Sequence, residues 1–266
     1  MSGEELSTGW ELILNACEEA LQIAITENSR PIAFQEWWQP SRATEILASA
    51  LSEMCARAGI KPVQFRRIGC FSGPGSFTGI RLILSTAAAL RRVSHAQLAN
   101  LDYLQSLACT AVMQRGALYP QPVAVMTHAR RNLVHFQKFT SFGPQIPPAA
   151  VNEVQLMDPE TALAELAGTH SIVCGSGLSR YPDLFALPIT GQGPETAPDL
   201  LVLPDLTTPS FRAICLLARH GDYFPKDMEP HYVRGCDAVE NLEKGKEQEK
   251  LEKIKNILDK RPESDI

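Results

Sequence analysis

The sequence lacks the metal-binding and redox patterns that would indicate a metallohydrolase or a disulfide exchanger. Its six histidines, at positions 95, 128, 135, 170, 220 and 231, form no His-Glu-x-x-His or His-x-x-x-His pair. Its seven cysteines, at positions 17, 55, 70, 109, 174, 215 and 236, form no Cys-x-x-Cys pair. We therefore predict no metal site, and we read the cysteines as small hydrophobic residues in a reducing cytoplasm.

Long apolar runs and an excess of basic residues are also missing. No run approaches the length of about 18 residues that a membrane span requires, and the first ten residues do not resemble a signal peptide. The net charge of −5 over 266 residues argues against a protein that holds nucleic acid by electrostatics alone. With 44% apolar and 21% charged residues, the composition is that of a globular protein with ample core.

The first half of the chain alternates between the periodicities of strands and helices. Leu21, Ile23 and Ile25 alternate with polar or small residues, which predicts a half-buried strand. The apolar residues of 42–57 share one helical face. We predict strands at 10–16, 21–26, 32–38 and 67–72, and helices at 42–57, 79–92 and 102–113.

The second half contains its own strands and helices, separated by regions rich in proline and glycine. We predict strands at 123–127, 133–140 and 171–174, helices at 160–167 and 210–220, and no regular structure at 186–209. The chain becomes highly charged near its end, with a marginal amphipathic pattern. We predict an N-terminal lobe at 8–114, a smaller lobe at 115–235 whose helix 210–220 packs back on the first, and a tail at 236–266.

A glycine turn joins the strand at 67–72 to the helix that follows. Its spacing, Gly-x-Gly-x-x-x-Gly, fits neither the dinucleotide fingerprint nor the P-loop. Two interpretations stay open: a tight turn whose helix is capped by Ser76 or Thr78, and a docking loop or anion cradle. The candidate residues are Gly73, Pro74, Gly75, Ser76, Phe77, Thr78, Gly79 and Arg81.

The helix at 79–92 has apolar residues around nearly its whole circumference. A helix of this kind needs cover on more than one side. Its own sheet covers one side, so either another lobe or another protein must cover the rest.

The segment Gly-Pro-Gly-Ser-Phe-Thr-Gly-Ile-Arg, followed by a helix of small and apolar residues, resembles the signature of the TsaB (YeaZ) proteins. Weaker similarities follow in the right order at 125–131, 173–177 and 230–234. The chain departs from the family pattern at Asn15, Ala43 and His128. The resemblance implies an α/β, two-lobed, actin-like (ribonuclease H-like) fold with mixed sheets flanked by helices.

The resemblance also implies a function and its partners. TsaB proteins are partner subunits in making threonylcarbamoyladenosine on tRNA, so we expect a non-catalytic subunit that binds a TsaD-like paralogue and contacts tRNA only indirectly. A TsaE-like ATPase, a homodimer in the absence of the paralogue, and ATP or ADP at the partner interface are further expectations. The expected interface residues are Ile46, Leu47, Leu51, Met54, Ile80, Leu82, Ile83, Thr86, Ala87 and Leu90.

Two enzymatic alternatives stay open. A kinase or hydrolase of the actin-like superfamily would bind ATP between the lobes, near Asn15, Gly175 and Gly177. Asn15 stands where family members often carry an aspartate, and an amide is a poor ligand for Mg²⁺ and a poor base. A metallo-glycopeptidase is disfavoured because the sequence lacks a metal-binding histidine pair.

Overall fold

The computed structural model describes residues 9–38, 42–116, 121–185 and 200–229, all within the first of two compact units, which spans 1–231. The first half of the chain forms a five-stranded mixed sheet in the order β3-β2-β1-β4-β5. Strands β1, β2 and β3 are antiparallel neighbours, whereas β4 and β5 run parallel to β1. The strands are β1 (Trp10–Asn15), β2 (Leu21–Glu27), β3 (Arg30–Trp37), β4 (Phe65–Phe71) and β5 (Gln97–Leu101).

The second half forms a second sheet with the same pattern. Its strands are β6 (Gln121–Arg130), β7 (Leu133–Ser141), β8 (Ala149–Ala150), β9 (Gln155–Met157), β10 (Ile172–Cys174) and β11 (Leu201–Leu203). The order is β11-β10-β6-β7-β8, with β9 also paired to β7. As in the first sheet, a central strand has an antiparallel hairpin partner on one side and two parallel strands on the other. The two sheets therefore share the same arrangement of strands.

Helices cover both faces of each sheet. They are α1 (Ala43–Arg57), α2 (Phe77–Ser94), α3 (Tyr103–Arg115), α4 (Pro159–Ala164), α5 (Ser176–Arg180), α6 (Pro182–Phe185) and α7 (Phe211–Arg219). Helices α1 and α2 connect parallel strands while the chain moves in one direction across the first sheet. Since such crossovers are almost always right-handed, both helices lie on the same face of that sheet.

Helices α3 and α7 pack between the two sheets. Helix α7 contacts β1, β2 and β5, and α3 contacts α7, β6, β7 and β10. The main core therefore includes the first sheet, these helices and the inner face of the second sheet, while a smaller core lies on its outer face under α4 and α5. The mixed α/β fold predicted from the sequence is confirmed.

One prediction about burial was wrong. Strand β2 is buried on both faces, and its polar residues Gln22 and Thr26 are as inaccessible as its apolar ones. The physical reason is α7, which arrives from the far end of the sequence to cover the second face. Gln22 donates from Nε2 to the carbonyl oxygen of Pro209, just before α7, at 2.9 Å.

The predicted helices and the longer strands are confirmed within a few residues. Strands β5, β8, β9 and β11 and the short helices α5 and α6 were not predicted from the sequence. Strand β11 contradicts the prediction of no regular structure at 186–209. These strands are short, and their pairing depends on distant partners. The predicted lobe boundaries stay predictions, and residues 230–234 and the charged tail lie outside the described residues. Among the helices described, none is both long and apolar enough to cross a bilayer.

Candidate functional site

The glycine turn after β4 packs against the end of β1. A side-chain carbon at Gly75 would lie 2.1 Å from the carbonyl oxygen of Cys17, and one at Gly79 would lie 2.0 Å from that of Ala16. The backbone N–H of Ser76 donates to the Cys17 oxygen at 2.5 Å. Glycine is therefore required at 75 and 79 because the turn and the first hairpin touch backbone to backbone.

The same turn starts α2 two residues earlier than predicted. Helix α2 begins at Phe77, and the side-chain oxygen of Ser76 accepts from the N–H of Gly79 at 3.3 Å. Two backbone N–H groups that could face an anion, those of Ser76 and Gly79, are thus already committed. This geometry supports a tight, capped turn, and the anion cradle stays a prediction.

The other residues of the turn either attach it to the rest of the fold or form its solvent-facing surface. The carbonyl oxygen of Gly73 accepts from the N–H of Tyr103 at 3.2 Å, which ties the turn to the start of α3. Pro74 is buried and Thr78 is exposed. On the outer surface the guanidinium carbon of Arg81 lies 3.8 Å from the centre of the Phe77 ring.

The second sheet has a similar arrangement, in which the second glycine turn packs against Met126 inside β6. A side-chain carbon at Gly175 would lie 2.3 Å from the carbonyl oxygen of Met126, and one at Gly177 would lie 2.9 Å from the same oxygen. Between them, the side-chain oxygen of Ser176 accepts from the N–H of His128 at 2.9 Å. The first glycine turn thus packs just after the central strand of its sheet, and the second packs against the central strand of its own sheet.

Asn15, a candidate nucleotide ligand, is engaged inside the fold. Its Nδ2 donates to Gln22 Oε1 at 2.8 Å, and its Oδ1 accepts from the N–H of Cys17 at 3.0 Å. Gln22 Nε2 in turn donates to Glu36 Oε1 at 2.6 Å. The side chain is 2% exposed, so this geometry assigns Asn15 to closing the first hairpin.

Glu18, which contacts the second glycine turn and the start of α3, was not predicted as a site residue. Its Oε1 accepts from the hydroxyl of Ser176 at 2.5 Å, and its Oε2 lies 3.0 Å from the hydroxyl of Tyr103. Burial, together with the charge of Glu19, raises the pKa of Glu18 to about 7, although the two hydrogen bonds by themselves lower it. The adjacent acids Glu18 and Glu19, in a hairpin expected to face a ligand, were the available signal.

The expected interface residues divide into two groups. Six are buried in the chain's own core and offer no side-chain surface to a partner: Leu47, Leu51, Met54, Ile80, Ile83 and Ala87. Four are partly exposed: Ile46, Leu82, Thr86 and Leu90.

Helix α2 is less apolar on its outside than the sequence analysis expected. Its buried apolar residues, Ile80, Ile83, Leu84 and Ala87, turn toward the sheet. The residues Arg81, Ser85, Ala89, Arg92 and Val93 are exposed. The side of α1 and α2 that points away from the sheet is therefore a mixture of polar and apolar surface. Below, the four partly exposed residues on this side, Ile46, Leu82, Thr86 and Leu90, are called the outer face.

In the described part of the chain, the side chains that could bind a metal ion do not cluster. In the ranges that the structure describes, no three His, Cys, Asp or Glu side chains come together in a metal-binding arrangement. The six described cysteines are free, and five of them are buried.

The family model described as "TsaD: tRNA N6-adenosine threonylcarbamoyltransferase" matches residues 41–174. The match therefore extends from the start of α1 to the end of β10 and includes the first glycine turn. The chain belongs to this family. Asn15 and Glu18 precede the matched region.

Curated relatives place the chain more narrowly. It is 24% identical over 229 residues to the tRNA threonylcarbamoyladenosine biosynthesis protein TsaB of Haemophilus influenzae, covering 84% of this chain and 92% of that one. It is also 31% identical over 166 residues to an uncharacterized protein of Mycobacterium leprae, covering 61% of this chain and 40% of that one. Together with the family model, the relative from Haemophilus influenzae makes the chain a divergent TsaB member.

The fold agrees with that placement. The chain matches the crystal structure of YeaZ from Pseudomonas aeruginosa with a TM-score of 0.68 and 18% sequence identity, covering 85% of this chain and all of that one. At this identity the likeness shows the fold alone.

Proposed function

We propose that this chain acts in the biosynthesis of threonylcarbamoyladenosine in tRNA, as a non-catalytic subunit that binds a TsaD-like paralogue. The observation that carries the proposal is the family match, which spans both helices of the expected interface and the glycine turn between them. In this proposal the paralogue transfers the threonylcarbamoyl group to adenosine 37, and the chain contacts tRNA only indirectly. The proposal places both proteins in the cytoplasm.

The outer face is the proposed contact surface. Leu82, Thr86 and Leu90 recur at i, i+4 and i+8 along α2, so they form one stripe on the helix. Ile46 adds a partly exposed apolar side chain on α1. A partner helix that packs on this stripe would bury apolar area that the first sheet leaves partly accessible. Without the paralogue, a second copy of the chain would use the same stripe.

The enzymatic alternative gains little support from the site. The hairpin that would hold Mg²⁺ and phosphate carries Asn15, whose amide is already bonded within the fold, and the acids Glu18 and Glu19. Two carboxyl groups beside a phosphate would repel it unless a metal ion lay between them. Calorimetry with ATP and Mg²⁺ separates the two hypotheses, because binding by the isolated chain would favour the enzymatic one.

The proposal is tested by measuring the affinity of the chain for the TsaD-like paralogue of the same organism. The variant Leu82→Glu/Leu90→Glu places two charges on the outer face. We expect it to lose at least about a hundredfold in affinity, because each unpaired charge buried in an interface costs several kcal/mol. Undiminished binding by this variant would overturn the interface.

The matched control is Leu163→Glu. Leu163 is also a partly exposed leucine on a helix, but it lies on α4, beside the second sheet. It should keep full affinity. Circular dichroism and thermal unfolding of all variants show whether any loss of binding is a loss of folding. A depletion strain complemented by each variant, with the modified nucleoside measured by mass spectrometry, then tests the pathway itself.

A further inference from the structure

A polar cluster lies at the end of the first sheet that is opposite to the glycine turn. Glu11 is the second residue of β1, and its neighbours on the adjacent strands are Thr26 on β2 and Arg67 on β4. The guanidinium carbon of Arg67 lies 4.7 Å from the centre of the ring of Tyr223, which follows α7. We call these four residues the Glu11 cluster.

Two oxygen atoms of the cluster are buried and have no hydrogen-bond partner in the part of the chain that the structure describes. They are Glu11 Oε1 and the hydroxyl oxygen of Tyr223. The other carboxyl oxygen of Glu11, Oε2, accepts from the hydroxyl of Thr26. Buried polar atoms in native proteins are almost always paired, either with protein groups or with ordered water. The cluster therefore offers one acceptor and one hydroxyl that are both shielded from bulk solvent.

Arg67 is near Glu11 but is too far away to pair with it directly. Its Nη1 lies 3.9 Å from Glu11 Oε1, beyond the range of a hydrogen bond. The side chain of Glu11 is only 3% exposed, so bulk solvent does not reach this gap from the side of the carboxyl group. A separation of this size between two polar atoms is one that a single water molecule can bridge.

Gly69 shows where the tyrosine hydroxyl lies. Gly69 comes two residues after Arg67 on β4, so both positions face the same side of the sheet. A side-chain carbon at position 69 would lie 3.4 Å from the hydroxyl oxygen of Tyr223. Burial raises the pKa of Tyr223, and the charge of Glu11 adds to the rise. The hydroxyl therefore keeps its proton and remains a donor on the same side of the sheet as Glu11 and Arg67.

We propose that the Glu11 cluster binds one internal water molecule that joins Glu11, Arg67 and Tyr223. The water donates to Glu11 Oε1 and accepts from Arg67 Nη1 and from the hydroxyl of Tyr223. Water fits because a carboxylate only accepts and a guanidinium only donates, whereas water does both. Arg67 would repel a cation at this position, and Glu11 would repel an anion. Three polar partners are the usual number for a buried water.

The bound water fastens the segment after α7 to the middle of the first sheet. Next to Tyr223, the N–H and the carbonyl oxygen of Phe224 both pair with the backbone of Leu98 on β5 at 2.8 Å. Those bonds hold the segment to the edge strand of the sheet. The water adds a second attachment, over β1 and β4, through the tyrosine hydroxyl.

A high-resolution crystal structure of the wild-type chain tests the site directly. We expect one ordered water within about 3.2 Å of each of the three atoms Glu11 Oε1, Arg67 Nη1 and the Tyr223 hydroxyl oxygen. Any other arrangement, including a direct hydrogen bond from Arg67 or Tyr223 to Glu11 Oε1, would overturn the proposal.

Urea unfolding tests the same link in solution. Tyr223→Phe removes only the hydroxyl, so we expect the ratio of folded to unfolded protein to fall about five- to thirtyfold. The background Glu11→Leu/Thr26→Val removes the carboxyl group and its hydroxyl partner together. In that background Tyr223→Phe should have a clearly smaller effect, because the water has lost its acceptor. Equal effects in the two backgrounds would count against the bridge, since the hydroxyl and the carboxyl group would then act independently.

Tyr103→Phe is the matched control. Tyr103 is also a buried tyrosine, but its hydroxyl lies near protein groups outside the Glu11 cluster, at 3.0 Å from Glu18 Oε2 and 3.1 Å from the carbonyl oxygen of Thr207. Its effect on unfolding should be the same with and without Glu11→Leu/Thr26→Val. If the effect of Tyr103→Phe shrank as much as that of Tyr223→Phe, the background would be acting on the whole sheet, and the coupling would no longer support the water.

Discussion

Gly75 lies so close to Cys17 that a side-chain carbon at position 75 would stand 2.1 Å from the Cys17 carbonyl oxygen. This contact joins the first glycine turn to the first hairpin, and the hydrogen bond from the Ser76 N–H to the same oxygen fixes their register. The turn is therefore a structural joint, whatever else it binds.

We predict that Gly75→Ala lowers the free energy of unfolding by about 3 kcal/mol or more, because backbone must move away from backbone. Urea unfolding, followed by circular dichroism, measures this value.

The control is Gly59→Ala. Gly59 has a φ of +69°, but no atom lies within 4 Å of the added carbon. This variant carries only the cost of a left-handed backbone with a side chain, about 1–2 kcal/mol. If the two variants were equally destabilised, the close contact at position 75 would have no energetic weight.

The sequence predicts an element of this fold well when the residues that form the element are close together in the chain. Helix α1 follows from the spacing of its apolar residues. Helices α2 and α3 also have local caps, since Ser76 and Asp102 cap them within their own first turns. Strand β5 was missed because it is short and pairs in parallel with β4, across the whole of α2.

The candidate site shows the same limit. Each glycine turn was found from its sequence, but its packing partner was not, since the partner is a distant backbone oxygen. Glu18 was missed because its partners Tyr103 and Ser176 are 85 and 158 residues away. The burial of Gln22 depends on α7 in the same way. The local pattern of apolar and polar residues predicts helices, strands and turns. The burial of a side chain and its hydrogen-bond partners depend on how distant parts of the chain are brought together.

The buried thiols should be nearly inert in the native protein. Burial raises the pKa of Cys109 and Cys174 to about 12, so at pH 8 only about one molecule in ten thousand carries each thiolate. In a Cys215→Ser/Cys236→Ser background, we expect a thiol reagent to modify these two slowly at pH 8. Because their pKa is raised, the modification rate should climb about tenfold per pH unit as long as the fold persists.

An exposed thiol provides the comparison for this measurement. Ser52→Cys adds a cysteine at an exposed position of α1. This thiol should react at the rate of a free cysteine, and urea should bring the buried thiols to the same rate. Fast native labelling of Cys109 or Cys174 would contradict their burial.

Asn15→Asp tests whether position 15 is structural. The substitution replaces the Nδ2 donor with an oxygen that faces Gln22 Oε1, which now accepts from Asn15 at 2.8 Å. Gln22 cannot reverse its amide without losing its bonds to Glu36 and Pro209. We expect a loss of about 1–3 kcal/mol in unfolding free energy at pH 7, the usual cost of a buried polar group without its partner.

The pH dependence of this loss distinguishes a lost donor from a change in packing. In Asn15→Asp, the new carboxyl regains a donor toward Gln22 when it is protonated, so burial and the facing oxygen should raise its pKa. The folded state then binds the proton more tightly than the unfolded state, and the loss should shrink at low pH and grow as pH rises. The control Asn100→Asp, at an exposed position of β5, should show neither the loss nor this slope. A destabilisation independent of pH would mean that packing around position 15, rather than its hydrogen bond to Gln22, holds the first hairpin together.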